Sequence, residues 1–238
     1  DANTTASNNT AVGRSALTAN TDGHSNTAVG AEAGDSITTG DENVAIGHGA
    51  LDGGTPVNGN TAVGTDTMGS ASYSGSYNTA VGYNAMLVAT SVSGTTAIGN
   101  QCLDALTTGD NNTGVGSAAL GANTTGSENT AVGYLALDAN TTGSEGTFLG
   151  YLSGSENTTA AYNTGLGSRA LYANTTGANN TSVGAYSLNQ NTTAANNTAV
   201  GYNSLGVNTT GANNVAVGAY VLDACSVGTY NTGVGTSA

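Results

Sequence analysis

One glycine recurs along this chain every 17 residues, and that period constrains the fold more than anything else in the sequence. It stands at positions 13, 30, 47, 64, 82, 99, 116, 133, 150, 167, 184, 201, 218 and 235, and the single longer step, Gly64 to Gly82, is 18 residues. The unit reads N-T-A-V-G-x-x-A-L-x-A-N-T-T-G-x-x. A fixed period of this length marks a stacked repeat, in which each unit buries its inner face only against its neighbours. The apolar positions do not follow a 3.6 period, and Gly and β-branched residues recur too densely for helix. The expectation is an all-β parallel β-solenoid of about 14 rungs, one repeat domain over 1–238, without helices. At about 4.8 Å per rung, fourteen rungs span roughly 65 Å. The extra residue falls near Ser70 to Tyr77 and is read as a bulged turn.

The columns assign the local chemistry. The glycine column, with Gly13, Gly30, Gly133 and Gly201 as examples, has no exception in fourteen copies. It calls for positive φ or for a backbone contact too close for a Cβ. Four residues earlier stands Asn in twelve of fourteen copies, among them Asn9, Asn26 and Asn129. Asn tolerates the left-handed region, bonds nearby backbone, and forms amide ladders when stacked. The residue before the glycine is always Val, Ile or Leu, as at Val12 and Val132, and Thr or Val stands two residues before that. Two residues apart on a strand, these columns share a face. The Thr-to-Val exchange at Val44 and Val215 suggests that this face is the interior. Leu or Met occupies the fourth position after the glycine, as at Leu137, with Gly34 and Gly154 as exceptions.

By the same alternation, the residue between Thr and Val points outward. It is Ala, Gly or Ser in thirteen of fourteen copies, with Phe148 the exception. A strip so small and uncharged suggests lateral packing of another chain, with Ala131, Ala199 and Phe148 as candidate interface residues. The sequence ends also suggest head-to-tail stacking. Asp1 enters the repeat five positions after the glycine and Ala238 stops three after Gly235, with no capping repeat at either end.

The stretches Asn43–Gly47 (NVAIG) and Asn214–Gly218 (NVAVG) resemble the head repeat of trimeric autotransporter adhesins. That resemblance implies left-handed parallel β-rolls that assemble as trimers and bind host surfaces. The longer unit, as in Asn129–Gly143, resembles repeats of phage-type tail fibres and of large bacterial surface proteins.

Chemistry-bearing constellations are scarce. There are two His, His24 and His48, in different columns, and no Lys. A nucleophile needs a positioned base, so the chain is not expected to be an enzyme. Fifteen acidic residues against two Arg disfavour nucleic acid, and no apolar run is long enough to cross a membrane as a helix. Asp35, Asp52, Asp104, Asp138 and Asp223 share one column. They read as solubilising charge, with weak surface Ca²⁺ binding as the alternative, and no cofactor is expected. Tyr83, Tyr134, Tyr151 and Tyr202 follow the glycine directly and are candidate aromatic contacts for glycans or a neighbouring chain. Asn123, Asn140, Asn157, Asn174, Asn191 and Asn208 each head an N-x-T sequon and are candidate glycosylation sites, although an Asn/Thr repeat creates sequons automatically. Asn8, Asn111, Asn179 and Asn196 head further sequons.

Three function classes follow. The first is a segment of an extracellular or cell-surface fibre, adhesive or coating. The second is a phage-type tail-fibre shaft or receptor-binding fibre. The third is an ice-binding solenoid, which needs a flat face with two outward Thr ranks. The Thr-Thr pair eight and nine residues after the glycine can turn only one side chain outward, which counts against the third class.

Overall fold

The computed structural model describes residues 5–54 and 57–238. Asp1 to Thr4, on which the phase of the first rung rests, lie outside the described residues. The fold is an all-β parallel β-solenoid with rungs of about 17 residues, and no helix is found among the described residues. It comprises two compact units, Asp1–Ala118 and Ala119–Ala238. The first holds the strands Thr10–Val12, Thr27–Val29, Val44–Ile46, Thr61–Val63, Thr79–Val81, Thr96–Ile98 and Thr113–Val115. The second holds Thr130–Val132, Thr147–Leu149, Thr164–Leu166, Thr181–Val183, Thr198–Val200, Val215–Val217 and Thr232–Val234. Within each unit consecutive strands pair in parallel and in register, so that Thr164 faces Thr181 and Leu166 faces Val183. Among the described residues the remainder of each rung is turn, bend or irregular backbone.

The glycine corner meets both physical expectations at once. Gly133 has φ 140°, and a Cβ there would lie 2.4 Å from the carbonyl oxygen of Gly150 on the next rung. The Leu column turns inward from an unusual backbone. Leu137 has φ 54° and is buried, as are Leu120 and Leu171 with φ 55° and 53°. Burying a Leu side chain is worth about 1.5–3 kcal/mol, more than the roughly 1–2 kcal/mol that a left-handed residue costs.

The strand faces are the reverse of the sequence expectation. From the second rung on, the middle residue is the buried one: Ala28, Ala131 and Ala199 are sealed, while Val29 and Ile46 are 37% and 39% exposed. The reason is room. The sheet lies close over the small column and the Leu ladder, so that even a Cβ added at Gly114 would sit 2.6 Å from Cys102 Sγ and 3.3 Å from Leu103 Cδ1. Ala fits beneath the sheet and β-branched residues do not, so Thr and Val take the outer side. Ala131, Ala199 and Phe148 therefore cannot form a lateral interface.

Phe148 shows how the interior adapts. It is buried, and its ring fills space left by glycines: a Cβ at Gly154 would lie 2.3 Å from the ring, and one at Gly165 would lie 2.6 Å from it. Gly154 is one of the two exceptions in the Leu column, so the missing Leu is replaced by the Phe. Ile37 fills the other gap, its Cδ1 lying 3.0 Å from a Cβ built on Gly34. The inserted residue is accommodated by Tyr73, fully buried, whose hydroxyl donates to Asn60 Oδ1 at 3.2 Å and accepts from Asn78 Nδ2 at 2.6 Å.

Candidate functional site

Two internal amide ladders support the outer surfaces. In the Asn column before the strands, Asn43 N–H and Nδ2 donate to Asn26 Oδ1 at 2.9 and 3.0 Å, and Asn43 Nδ2 also reaches the carbonyl of Val57 at 2.8 Å. In the second unit, Asn129 Nδ2 donates to Gly143 O at 2.8 Å, and Asn180 N–H donates to Asn163 Oδ1 at 2.8 Å. The second ladder runs through Asn123, Asn140, Asn157, Asn174, Asn191 and Asn208, all buried. Asn174 Nδ2 donates to Asn157 Oδ1 at 2.9 Å and Asn191 Nδ2 to Asn174 Oδ1 at 2.8 Å. These six amide nitrogens are spent inside the fold, which removes them as glycan acceptors on the folded chain. The exposed sequon residues are Asn8, Asn111, Asn179 and Asn196.

The surface that stands out is the outer side of the sheet. Each strand turns Thr (or Val) and Val, Ile or Leu outward, two residues apart, which produces two ranks in register. In the second unit, Thr147 is exposed and Thr130, Thr164, Thr181 and Thr198 are half-buried. None of the hydroxyls of Thr147, Thr164, Thr181 and Thr198 is hydrogen-bonded to another described residue. The Thr rank across the rung behaves differently: Thr141 Oγ1 donates to Thr158 O at 3.0 Å, and Thr175 Oγ1 donates to Thr192 O at 2.9 Å. Its hydroxyls close an internal ladder, whereas those of Thr147, Thr164, Thr181 and Thr198 do not. The outer face therefore carries one rank that is mostly Thr beside one rank of Val, Ile or Leu, rather than two ranks of Thr. No ionisable residue interrupts either strand rank, although the chain carries a net charge of −13.

Tyr83, Tyr134, Tyr151 and Tyr202 are exposed, as anticipated. In the second unit the rings turn toward one another. Tyr134 and Tyr151 stack at 5.8 Å, and Tyr202 meets Tyr186 and Tyr220 edge-on at 5.9 and 5.3 Å. The edge-on rings about Tyr202 break the row, so these tyrosines do not form one continuous parallel platform.

His48 lies 3.6 Å from both Glu32 Oε2 and Asp66 Oδ1, and Arg14 pairs with Glu32 at 2.5 Å, all on the exterior of the first unit. Burial, and then the neighbouring charges of Asp35 and Asp66, push the Asp52 carboxyl up to about 6. Burial also raises Asp104 and Asp138, the latter accepting a hydrogen bond from Ser155 Oγ at 2.7 Å. Among the described residues no three His, Cys, Asp or Glu side chains are grouped to hold a metal ion. Cys102 is sealed in the core with its thiol pushed up to about 12 by burial, and Cys225 is half-buried; both are free. At the inserted residue an open cavity of about 370 Å³ is lined by Ser36, Gly54, Ala71, Ser72, Tyr73 and Ser74, and the Tyr73 hydroxyl is already engaged by Asn60 and Asn78.

The fold defines a β-solenoid repeat protein. No family model, no curated protein and no solved structure matches the chain.

Proposed function

We propose that this chain is a structural segment of an extracellular fibre, of the surface-adhesin or tail-fibre kind that its NVAIG-like and NTAVG-like repeats resemble. The observation that carries the reading is the continuity of the ladders within each unit. Backbone, Asn amides and Thr hydroxyls hand their hydrogen bonds from rung to rung, as where Thr130 N–H meets Gly146 O and Gly150 N–H meets Val132 O, each at 2.8 Å. A scaffold whose polar groups are satisfied along one direction suits load-bearing and display. Acidic side chains held off the sheet keep such elements apart and soluble. The partner in that role is another copy added edge to edge, because a parallel rung offers the N–H and C=O pattern that the next rung accepts.

Immunogold electron microscopy of the source cells and their virions, with antibody to the folded chain, tests this reading. Label along surface filaments supports the adhesin-type fibre, and label along virion appendages supports the tail-fibre form. Label confined to the cell interior overturns both.

A further inference from the structure

We propose that the outer sheet face binds ice. The two ranks form a grid of roughly 4.8 Å between rungs and about 6.7 Å between residues i and i+2. That grid is close to the oxygen repeat on a prism plane of hexagonal ice. A surface repeated over seven strands in one unit is best matched by a ligand that is itself periodic. Three features select ice over the other periodic occupants, a second copy and a crystalline polysaccharide.

The first is charge. The second unit carries Glu128, Asp138, Glu145, Glu156 and Asp223 against Arg169 alone, and none of them stands in either strand rank. A neutral lattice meets no penalty on this face, whereas a second copy brings the same acidic excess with it.

The second is the state of the hydroxyls. Thr147, Thr164, Thr181 and Thr198 present hydroxyls with no hydrogen bond to a described residue. Sealing such groups against an apolar protein surface costs desolvation at every rung. Ordered water satisfies them, and the methyls of Thr, Val and Leu occupy the space between. The third is the aromatic arrangement: Tyr134 and Tyr151 lie near parallel, but Tyr202 is edge-on to Tyr186 and Tyr220, so these rings do not form one continuous parallel row for a polysaccharide chain to stack on.

The test uses the full chain. Ice is grown slowly in a dilute solution of the protein, and partition into the ice fraction is measured together with thermal hysteresis and ice-crystal shaping. The wild type is expected to enter the ice and to shape it. The double variant Thr164→Lys with Thr181→Lys places two ammonium groups on the grid and is expected to lose partition at least tenfold, which requires only about 1.4 kcal/mol. The control, Thr159→Lys with Thr176→Lys, lies at exposed positions outside the sheet face and is expected to partition like the wild type. Circular dichroism checks that each variant remains folded. Rejection of the wild type from ice overturns the proposal, as does unchanged partition of the Thr164/Thr181 variant. It is equally overturned if sedimentation shows a wild-type oligomer that this variant dissociates, or if the wild type binds crystalline cellulose or chitin but not ice. The labelling result for the fibre reading is independent of all these outcomes.

Discussion

Substituting Cys225 by Asn should stabilise the protein, and the structure supplies the magnitude. In the second amide ladder each Asn Nδ2 from Asn140 on makes two bonds. One goes to the Asn oxygen on the preceding rung and the other to a carbonyl three residues on. For Asn191 these are Asn174 Oδ1 at 2.8 Å and Ala194 O at 3.0 Å; for Asn208 they are Asn191 Oδ1 at 3.0 Å and Gly211 O at 2.9 Å. The next residue in the column is Cys225, and Asn208 Oδ1 is left buried without a hydrogen-bond partner. An unsatisfied buried acceptor costs about 1–3 kcal/mol. An Asn at 225 supplies the missing donor, but the position is half-buried and ordering the side chain offsets part of the gain. The expected stabilisation is about 1 kcal/mol, the low end of that range. Repeat arrays open locally, so hydrogen exchange reads this better than a single melting midpoint. Amides around Asn208 and Gly211 should exchange about fivefold more slowly in Cys225→Asn, which corresponds to about 1 kcal/mol. Cys225→Ser, too short to reach Asn208, should bring no such gain. The opposite change, Asn174→Leu, removes a donor from Asn157 Oδ1 and an acceptor from Asn191 Nδ2, and should destabilise by about 2–4 kcal/mol. Unchanged or faster exchange in Cys225→Asn, with the fold intact, would refute the ladder energetics. The first unit shows the other stable solution: Ile37, Ala89 and Leu106 occupy the same column as apolar residues and are buried.

The remaining expectations are of the same kind. Ala131→Lys should abolish folding, visible as insoluble expression or loss of the cooperative melt, because it forces a charge into a sealed site; a folded, soluble variant would contradict the assigned strand faces. Gly133→Ala should cost about 2 kcal/mol or more in chemical denaturation, since φ is 140° and the new Cβ would lie 2.4 Å from Gly150 O. The folded-state pKa of Asp52, about 6, lies above its unfolded value near 3.8, so the native state holds the proton longer. Its contribution is fully present below the unfolded value and is lost as pH rises through about 6; thermal melts should therefore fall between pH 4 and 7, and Asp52→Asn should flatten that profile.

Much of this protein was legible in one dimension. The 17-residue period determines rung length and in-register parallel pairing, because identical residues stack only when each coil closes after the same number of steps. The unbroken glycine column determines the corner, since a Cβ there would run into the next rung. The Asn columns and the Leu column likewise announce ladders, which depend only on what lies one period away. Alternation also establishes that Thr130 and Val132 share a face, but it does not say which face. That choice belongs to the distance between the sheet and the Leu ladder, a property of the closed coil. There is space beneath the strands for Ala131 and none for a β-branched chain, so the more apolar Val132 lies outside. For the same reason Phe148 is a core residue, admitted by Gly154 and Gly165 from other turns of the chain. The six Asn-Thr-Thr sequons show the same limit, because their pattern reads as surface chemistry until the tertiary fold seals the amides in a ladder. The candidate ice face was hidden by this ambiguity of sign: its Thr and Val ranks are plain in the sequence, and only the narrow interior turned them outward.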